Sequence, residues 1–520
     1  MKRLLACLMT AAALLGAAAA RAADKPGDEA KKPGEEAKRP PEAPKPEQSV
    51  TQHSVSIGGR TIDYSATAGT LILRNDKDEP TAAIGYVAYA QREPGDLSRR
   101  PITFAYNGGP GSSSVWLHMG ALGPRRIVTA DAGPTPPAPY RVVDNAYSIL
   151  DKTDLVMIDP VGTGLSHAVG EAKDKDFWGV DPDIESVSRF IKQFVSDTNR
   201  WNSPKYLLGE SYGTTRSAGV VDYLQTRENM AFNGVILVSV ALDIEAIFEW
   251  PGNERPYPLF LPSYAAIAAY HHVLPHPPAK LEPFLDEVRQ YALGQYAAAL
   301  LKGDALADRE RDAVAEKLHE YTGLSVDYLK TARLRVREGQ FTQELLREHH
   351  ETVGRLDARF LGVSFDPLAE EAEYDPQSAA ISSAFTAAFL DYYHRELKFG
   401  QGKTYHILNY GIGGAWDWKH RPPGGQFFFP LPIPNTGLDL AHALGYNPNL
   451  RVLVLNGIYD LATPFFATEA MIDHLRLEKE QRAHIQLKYY EAGHMMYVHE
   501  ASLKQWKSDI AAFYDATSHP

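Results

Sequence analysis

The sequence predicts an α/β fold, in which a mostly parallel sheet is flanked by helices and carries a helical insertion ahead of its last two strands. Three observations predict it. Short apolar runs recur along the chain, most of them end in a glycine-containing loop, and helical spacing fills stretches between them. Continuous apolar strands are typical of parallel sheets that are buried on both faces, and the loops at their carboxyl ends form the functional edge.

The predicted parallel strands share a short apolar run followed by a loop. They are Ile102–Tyr106, Leu155–Ile158, Tyr206–Leu208, Val235–Val240, Val452–Leu455 and Ile485–Tyr490. Ahead of them, residues 53–89 predict four antiparallel strands at one edge of the sheet, beginning with a hairpin that turns at Gly58-Gly59. At the far end, Leu503, Trp506, Ile510 and Phe513 repeat at helical spacing and predict a last helix packed on the sheet.

Between Asp243 and about Asn449 the strand pattern disappears. Helices are predicted there instead, at Leu281–Leu301, Asp304–His319, Ser325–Leu334, Thr342–Arg355 and Ala379–Leu397. The stretch is too long for a crossover between strands, so we interpret it as a lid over the strand ends. The predicted organisation is a signal peptide (1–22), a disordered tether rich in Lys, Glu and Pro (23–50), the first part of the core (51–243), the helical lid insertion (244–449) and the second part of the core (450–520).

The first residues predict export. Met1-Lys2-Arg3 precedes a short apolar run, and Ala20-Arg21-Ala22 offers a cleavage site of small residues, which together are typical of a secretory signal peptide. Residues 24–48 contain no aromatic residue and cannot bury enough apolar surface to fold. We therefore expect a periplasmic or extracellular protein without a membrane span. The one cysteine, Cys7, lies ahead of any complete apolar region, so it does not predict a lipid anchor.

Composition excludes several classes of function. The chain of 520 residues has a formal net charge of −12 and no long basic run, which disfavours nucleic acid and anionic membranes as partners. Cleavage after residue 22 would leave no cysteine, which excludes a thiol nucleophile and a disulfide. No cofactor or metal is expected, because no glycine-rich loop has the form of a phosphate cradle and His349-His350 lacks an H-E-x-x-H frame.

A serine nucleophile is predicted at Ser211. The run Gly209-Glu210-Ser211-Tyr212-Gly213 follows an apolar strand and precedes a stretch with helical spacing. Strand, G-x-S-x-G and helix in that order indicate a nucleophile elbow, in which small flanking residues permit a strained turn that presents the hydroxyl. The start of the helix supplies N–H groups for a developing oxyanion.

A serine nucleophile needs a base within hydrogen-bond reach and an acid that orients the base. After the elbow, the best candidates at strand ends are Asp460, which follows Leu455-Asn456-Gly457, and His494, which follows Ala492-Gly493. Their order along the chain is the one that this arrangement of strands requires.

Five motifs in order resemble the serine carboxypeptidase family, a branch of the α/β-hydrolase fold. They are the runs at residues 107–114 (NGGPGSSS), 159–166 (DPVGTGLS), 209–213 (GESYG), 456–460 (NGIYD) and 493–495 (GHM). The resemblance extends from about residue 100 to the C-terminus, with the lid region similar only in kind.

The resemblance implies a role for each motif residue. Ser211 would attack the scissile carbonyl, His494 would act as base and then acid, and Asp460 would orient the imidazole. The N–H groups of Gly109 and Tyr212 would form the oxyanion hole. Asn107 and Glu210 would bind the C-terminal carboxylate of a peptide substrate, with Glu210 protonated, which favours an acidic working pH. The family includes homodimers, so a homodimer is among the expected assemblies.

Four positions depart from the family pattern. Ala105 stands where a tryptophan is usual, and Ala121 where a second glutamate completes the carboxylate-binding network. Ser112 and Thr463 replace two cysteines. The cysteine losses fit a disulfide-free, bacterial-type member, whereas the two alanines weaken the carboxylate clamp.

The sequence therefore predicts a secreted serine carboxypeptidase. The alternatives are a serine esterase, amidase or acyltransferase that uses the same three residues on a non-peptide substrate, and a non-catalytic binding protein. Trp416-Asp417-Trp418 is predicted either to line a substrate pocket or simply to pack.

Overall fold

The apolar runs of the sequence pair into a mixed sheet. The computed structural model describes residues 44–424 and 429–518 of the chain. The strands are β1 (Gln48–Ile57), β2 (Arg60–Arg74), β3 (Pro80–Gln91), β4 (Ile102–Tyr106), β5 (Arg125–Ile127), β6 (Val142–Asp144), β7 (Asp154–Ile158), β8 (His167–Ala168), β9 (Lys205–Ser211), β10 (Gly234–Val240), β11 (Glu351–Val353), β12 (Leu361–Val363), β13 (Arg451–Gly457) and β14 (Ile485–Tyr490).

The main sheet has the order β1-β2-β3-β7-β4-β9-β10-β13-β14, with β8 paired to β3. From β7 to β14 neighbouring strands run parallel, whereas the pairs β1–β2, β2–β3 and β3–β7 are antiparallel. Every residue of β4, β7 and β10 is buried, because helices cover both faces, and this explains their unbroken apolar sequences. The predicted α/β-hydrolase fold is confirmed.

The antiparallel edge differs from the prediction. Three strands form it rather than four, because the second and third predicted strands are one continuous strand, β2. The small residues between them remain extended, and Gly69 lies so close to the preceding chain that a Cβ there would be 2.7 Å from the Glu47 carbonyl oxygen. β1 begins at Gln48, inside the predicted tether, while the predicted signal peptide (1–22) and tether residues 23–43 lie outside the described residues.

Helices supply the remaining layers. They are α1 (Val115–Leu117), α2 (Val180–Asp197), α3 (Tyr212–Arg227), α4 (Pro256–Tyr270), α5 (Leu281–Tyr291), α6 (Ala297–Leu301), α7 (Asp308–Thr322), α8 (Val326–Thr331), α9 (Glu338–Glu344), α10 (Pro376–Arg395), α11 (Tyr410–Gly413), α12 (Gly437–Tyr446), α13 (Phe465–Asp473), α14 (Lys479–Arg482) and α15 (Glu500–Thr517). Leu503, Trp506, Ile510 and Phe513 of α15 are buried, as their helical spacing predicts.

The structure differs from the prediction at two places within residues 244–449. The helix predicted at Thr342–Arg355 is instead the end of α9, a short turn and strand β11, which pairs with β12 in a separate hairpin. Helix α4, which contains three prolines, was not predicted. Pro256 lies at the start of the helix, where no hydrogen-bonded N–H is needed, and the other two are accommodated within the first two turns.

Candidate active site

Ser211 lies at a strained turn between β9 and α3. It is the last residue of the strand and precedes the first turn of the helix, with φ of 60° and ψ of −129°. Such a backbone conformation is sparsely populated for any residue with a side chain. A Cβ at Gly209 would lie 2.1 Å from the Gly213 carbonyl oxygen, so the turn closes only with glycine there. The predicted elbow geometry is therefore present in the fold.

The candidate acid and base meet at the ends of two neighbouring parallel strands. Asp460 follows β13 and His494 follows β14, and Asp460 Oδ2 lies 2.8 Å from His494 Nδ1. The other carboxylate oxygen accepts the backbone N–H groups of Ala462 at 2.8 Å and Thr463 at 3.0 Å. Because the acid is fully buried and fixed by these bonds, the imidazole is held with Nδ1 toward the carboxylate and Nε2 available for a substrate proton.

The charge around His494 makes it a stronger base. Burial alone would lower the pKa of His494, but the Asp460 carboxylate, through its charge and its hydrogen bond, and the charge of Glu210 together raise it above 6.5. Arg355 acts in the opposite direction without reversing the net rise.

Ser211 and His494 line one cavity of about 250 Å³. Within the described chain, no hydrogen bond joins the two side chains to each other. Catalytic hydrogen bonds are commonly long in ligand-free enzymes and shorten when the substrate is bound.

The predicted oxyanion-hole residues lie on two backbones that touch. Gly109 follows β4 with φ of 106°, and Tyr212 opens α3, where the first N–H groups have no carbonyl partner within the helix. A Cβ added to Gly108 would lie 2.5 Å from the Tyr212 nitrogen. The loop after β4 therefore packs directly against the elbow, with both residues lining the cavity.

The predicted carboxylate-binding residues form a buried pair. Asn107 Nδ2 donates to Glu210 Oε1 at 2.7 Å, while Asn107 Oδ1 accepts the Leu117 N–H at 3.0 Å. Burial raises the pKa of Glu210 to about 7, opposed by the charge of His494 and by hydrogen bonding. The second oxygen of Glu210 and the hydroxyl of Tyr497 are both buried, and a hydrogen bond from Tyr497 is among the effects that oppose the rise in the pKa of Glu210.

A buried arginine ties this pair to the elbow. Arg216 of α3 donates to Asp183 at 2.7 Å and to the Asn107 carbonyl oxygen at 2.8 Å. Its guanidinium also lies over the rings of Tyr106 and Tyr212, about 5 Å from each centroid. Sequence reasoning missed this contact, because Asp183 comes from α2 and only the folded chain brings it beneath the elbow.

Thr463 is a second residue whose role the sequence did not reveal. Its hydroxyl donates to Asp460 Oδ2 at 2.7 Å and lies 3.2 Å from His494 Nδ1. The family resemblance identified the position only as a lost cysteine. The signal that could have found it is local, since an Asp followed by a Thr three residues later is typical of a loop closed by side-chain hydrogen bonds.

Aromatic side chains form much of the cavity wall. Trp116, Phe248, Tyr410 and Trp418 line it, and Trp116 Nε1 donates to Ser112 Oγ at 2.9 Å. Trp418 therefore lines the pocket, whereas Trp416 packs edge-on against the buried ring of Tyr212.

The two alanines that depart from the family pattern do not reach the cavity. Ala105 and Ala121 are fully buried, and neither contributes to its wall. A tryptophan still reaches the site, from position 116 on α1.

Two further findings concern the described residues, 44–424 and 429–518. No helix among them has the length and apolar content needed to cross a membrane. No group of three or more His, Cys, Asp or Glu side chains there is arranged to hold a metal ion.

Comparison with known proteins agrees with the motifs. A model of the family described as serine carboxypeptidase matches residues 75–241, which include the elbow and the Asn107 loop. No curated protein matches the chain. The chain is similar in structure to Kex1(delta)p, a prohormone-processing carboxypeptidase from Saccharomyces cerevisiae, with a TM-score of 0.53 and 14% identity over 87% of this chain and 92% of that chain.

More distant structural matches include a proline iminopeptidase from Mycobacterium smegmatis, which is 14% identical over 90% of this chain and 99% of that chain, with a TM-score of 0.36. A soluble variant of monoglyceride lipase from Saccharomyces cerevisiae is 12% identical over 86% of this chain and 96% of that chain, with a TM-score of 0.34.

Proposed function

We propose that this chain, whose residues 75–241 match the serine carboxypeptidase family, removes C-terminal residues from peptides by means of Ser211, His494 and Asp460. The observation that carries the proposal is a convergence within one cavity. His494, which Asp460 contacts at 2.8 Å from behind, lines the same cavity as the strained serine and the buried Asn107–Glu210 pair.

The proposed reaction has two steps. Ser211 Oγ attacks the scissile carbonyl carbon while His494 Nε2 takes the hydroxyl proton, and Asp460 stabilises the resulting imidazolium. The N–H groups of Gly109 and Tyr212 donate to the oxyanion of the tetrahedral intermediate. His494 then protonates the leaving amine, which gives an acyl-enzyme on Ser211 and releases the C-terminal amino acid.

Water completes the cycle. His494 takes a proton from a water molecule, whose oxygen attacks the acyl carbon, and then returns the proton to Ser211 Oγ as the ester bond breaks. The products are a shortened peptide and the free serine side chain.

Glu210 and Asn107 make the proposed reaction specific for a free C-terminus. A carboxyl with a pKa of about 7 is protonated under acidic conditions, so it can donate a hydrogen bond to the substrate carboxylate instead of repelling it. Asn107 holds the other Glu210 oxygen and orients the group. This recognition is proposed to operate best on the acidic side of neutrality.

A second candidate function is hydrolysis or acyl transfer on a non-peptide ester or amide. It is favoured by Ala105 and Ala121, which replace two residues of the family's carboxylate-binding network. A purely non-catalytic binding role is disfavoured because Ser211 and His494 line one cavity and His494 is paired with Asp460.

We also propose that the protein is exported to the periplasm or the extracellular space, on the strength of the predicted signal peptide in residues 1–22. N-terminal sequencing of protein recovered from cell fractions tests this. A cytoplasmic product that retains Met1 would contradict it.

The test of function compares an N-blocked dipeptide that has a free C-terminus with the same dipeptide amidated there. Mature protein and Ser211→Ala are assayed for amino-acid release between pH 4 and pH 8. Release from the free acid alone, abolished in the variant, supports the carboxypeptidase. Equal cleavage of the amide would mean that the carboxylate is not recognised, and would favour the broader hydrolase. A fluorophosphonate probe that fails to label folded protein would contradict both.

A further inference from the structure

One permanent positive charge lies in the wall of the catalytic cavity. Among the described residues that line it, the ionisable groups that bear on charge at neutral pH are Glu210, His494 and Arg355. At neutral pH Glu210 is close to its pKa, and His494 is the proposed base. The guanidinium of Arg355, in contrast, stays charged at every physiological pH. None of the family motifs includes Arg355.

The backbone around Arg355 is fixed to the two catalytic loops. The carbonyl oxygen of Arg355 accepts the N–H of Leu461, at 3.0 Å, and that of Leu356 accepts the N–H of His494, at 2.6 Å. The N–H groups of Arg355 and Leu356 donate to one oxygen of Asp375, at 2.7 Å and 3.0 Å. Arg355 is therefore held on the side of the cavity that carries the base.

The side chain of Arg355 remains accessible. It is 48% exposed, and Nε lies 3.3 Å from Glu338 Oε2. A guanidinium carries five N–H donors, so one contact of this length leaves capacity for a second carboxylate. Its charge also reaches the catalytic imidazole, since it lowers the pKa of His494 against the larger opposing effects.

The chemistry fixes which part of a substrate lies on this side. His494 must reach the leaving nitrogen to protonate it, so the residue that departs is placed next to the imidazole. When the serine proton moves to His494, the cavity holds a second positive charge near Arg355. A negative charge on the departing residue would offset that repulsion and would be attracted in the ground state as well.

We propose that Arg355 binds a carboxylate of the departing residue and makes this side of the cavity selective for it. The inference rests on the proposed function, because it assumes that a peptide bond is broken between Ser211 and His494. The carboxylate is either the terminal carboxylate or that of an Asp or Glu side chain, and the two sources are separable by experiment.

The experiment measures kcat/KM for N-blocked dipeptides that differ only in the departing residue, which is Glu, Gln or Leu. Each is supplied both as the free acid and as the C-terminal amide. The enzymes are the mature wild type, Arg355→Gln and Arg355→Lys. Arg395→Gln is the matched control, because it removes an equal charge from an arginine that is 80% exposed and pairs with Asp391 on α10. Glu338→Gln removes the counter-charge and leaves Arg355 in place.

If the side-chain carboxylate is bound, Arg355→Gln lowers kcat/KM for the substrate with a departing Glu about 10-fold relative to the substrate with a departing Gln. Arg395→Gln does not change this ratio. If the terminal carboxylate is bound, Arg355→Gln lowers kcat/KM about 10-fold for every free-acid substrate, whichever residue departs. Arg355→Lys retains part of either preference, because an ammonium keeps the charge but lacks the planar fork. Glu338→Gln keeps the preference in full.

Release that depends on Ser211 but has the same kcat/KM in wild type and Arg355→Gln for every substrate would overturn the inference and leave the proposed function standing. If no substrate is cleaved, binding decides. Calorimetry on Ser211→Ala should then show that N-blocked Glu binds about 10-fold more tightly than its diamide. If this difference in affinity is lost in Ser211→Ala/Arg355→Gln, the inference is supported even where the proposed function fails. If Ser211→Ala itself shows no difference in affinity, the inference is overturned.

Discussion

Replacing Glu210 with glutamine should remove a pH-dependent instability that the folded chain carries in its active site. Glu210 is buried, and its pKa is about 7 rather than 4.5. Between these values the unfolded chain ionises while the folded chain keeps its proton. The free energy of unfolding therefore falls as pH rises from 4.5 through 7, by roughly 3 kcal/mol in all. A glutamine does not ionise and should lack this fall.

The measurement is urea denaturation of wild type and Glu210→Gln at intervals from pH 4 to pH 8. The difference between their free energies of unfolding should shift by roughly 3 kcal/mol in favour of the variant across that range, since other groups cancel in the comparison. A difference that stays constant with pH would refute the assignment of a neutral, buried carboxyl at this position.

Activity should respond in the same direction. Cleavage of a free-acid substrate by the wild type should fall about tenfold for each pH unit above 7, because ionised Glu210 repels the substrate carboxylate. Glu210→Gln keeps a donor at all pH values and should lose this alkaline limb. Superimposable profiles for the two enzymes would contradict the proposed role.

Three substitutions test the rest of the site. Gly108→Ala places a Cβ 2.5 Å from the Tyr212 nitrogen and should lower kcat by about 10²–10³-fold, measured per mole of serine labelled by a fluorophosphonate; an unchanged kcat would exclude this N–H from the oxyanion hole. Asp460→Asn should lower kcat about 10⁴-fold with the fold retained by circular dichroism, and a loss below tenfold would contradict its role. Arg216→Met leaves Asp183 buried and unpaired, and should cost about 3–5 kcal/mol in urea denaturation; a loss under about 1 kcal/mol would show that the pair is not needed for stability.

The core of the fold could be predicted from the sequence because its strands are buried on both faces. β4, β10 and β14 begin and end within one residue of their predicted bounds, since a run such as that of β10 has no polar face to obscure its limits. The antiparallel edge was less certain, because the small residues in the middle of β2 carry no strong strand signal.

The insertion was harder to predict for physical reasons. Helix α4, which was not predicted, contains three prolines; a proline is tolerated in the first turn of a helix but is unfavourable further inside, so the composition of this segment is a weak helix signal. In the hairpin of β11 and β12, each strand has three residues, too few for an alternation to emerge. The charged residues around these two strands instead give the polar pattern that is typical of an exposed helix.

The residues of the candidate site also divide into those that the sequence predicts and those that it does not. Ser211, Asp460 and His494 could be placed from sequence because each follows a recognisable strand and stands in a motif. Arg216 and Arg355 could not, because their contacts come from segments that are distant along the chain and become neighbours only by packing. Charge and identity alone do not distinguish a buried arginine from the many exposed ones.

The hydrogen bond between Leu356 and His494, the proposed base, has a consequence for biosynthesis. A Cβ at Gly493 would lie 2.2 Å from the Leu356 carbonyl oxygen, so the loop that carries His494 is in close contact with a segment more than a hundred residues earlier in the chain. Until that segment docks, the base lacks its backbone anchor, and a partly folded chain is expected to be inert. The proposed hydrolytic competence would then come only with completion of the fold.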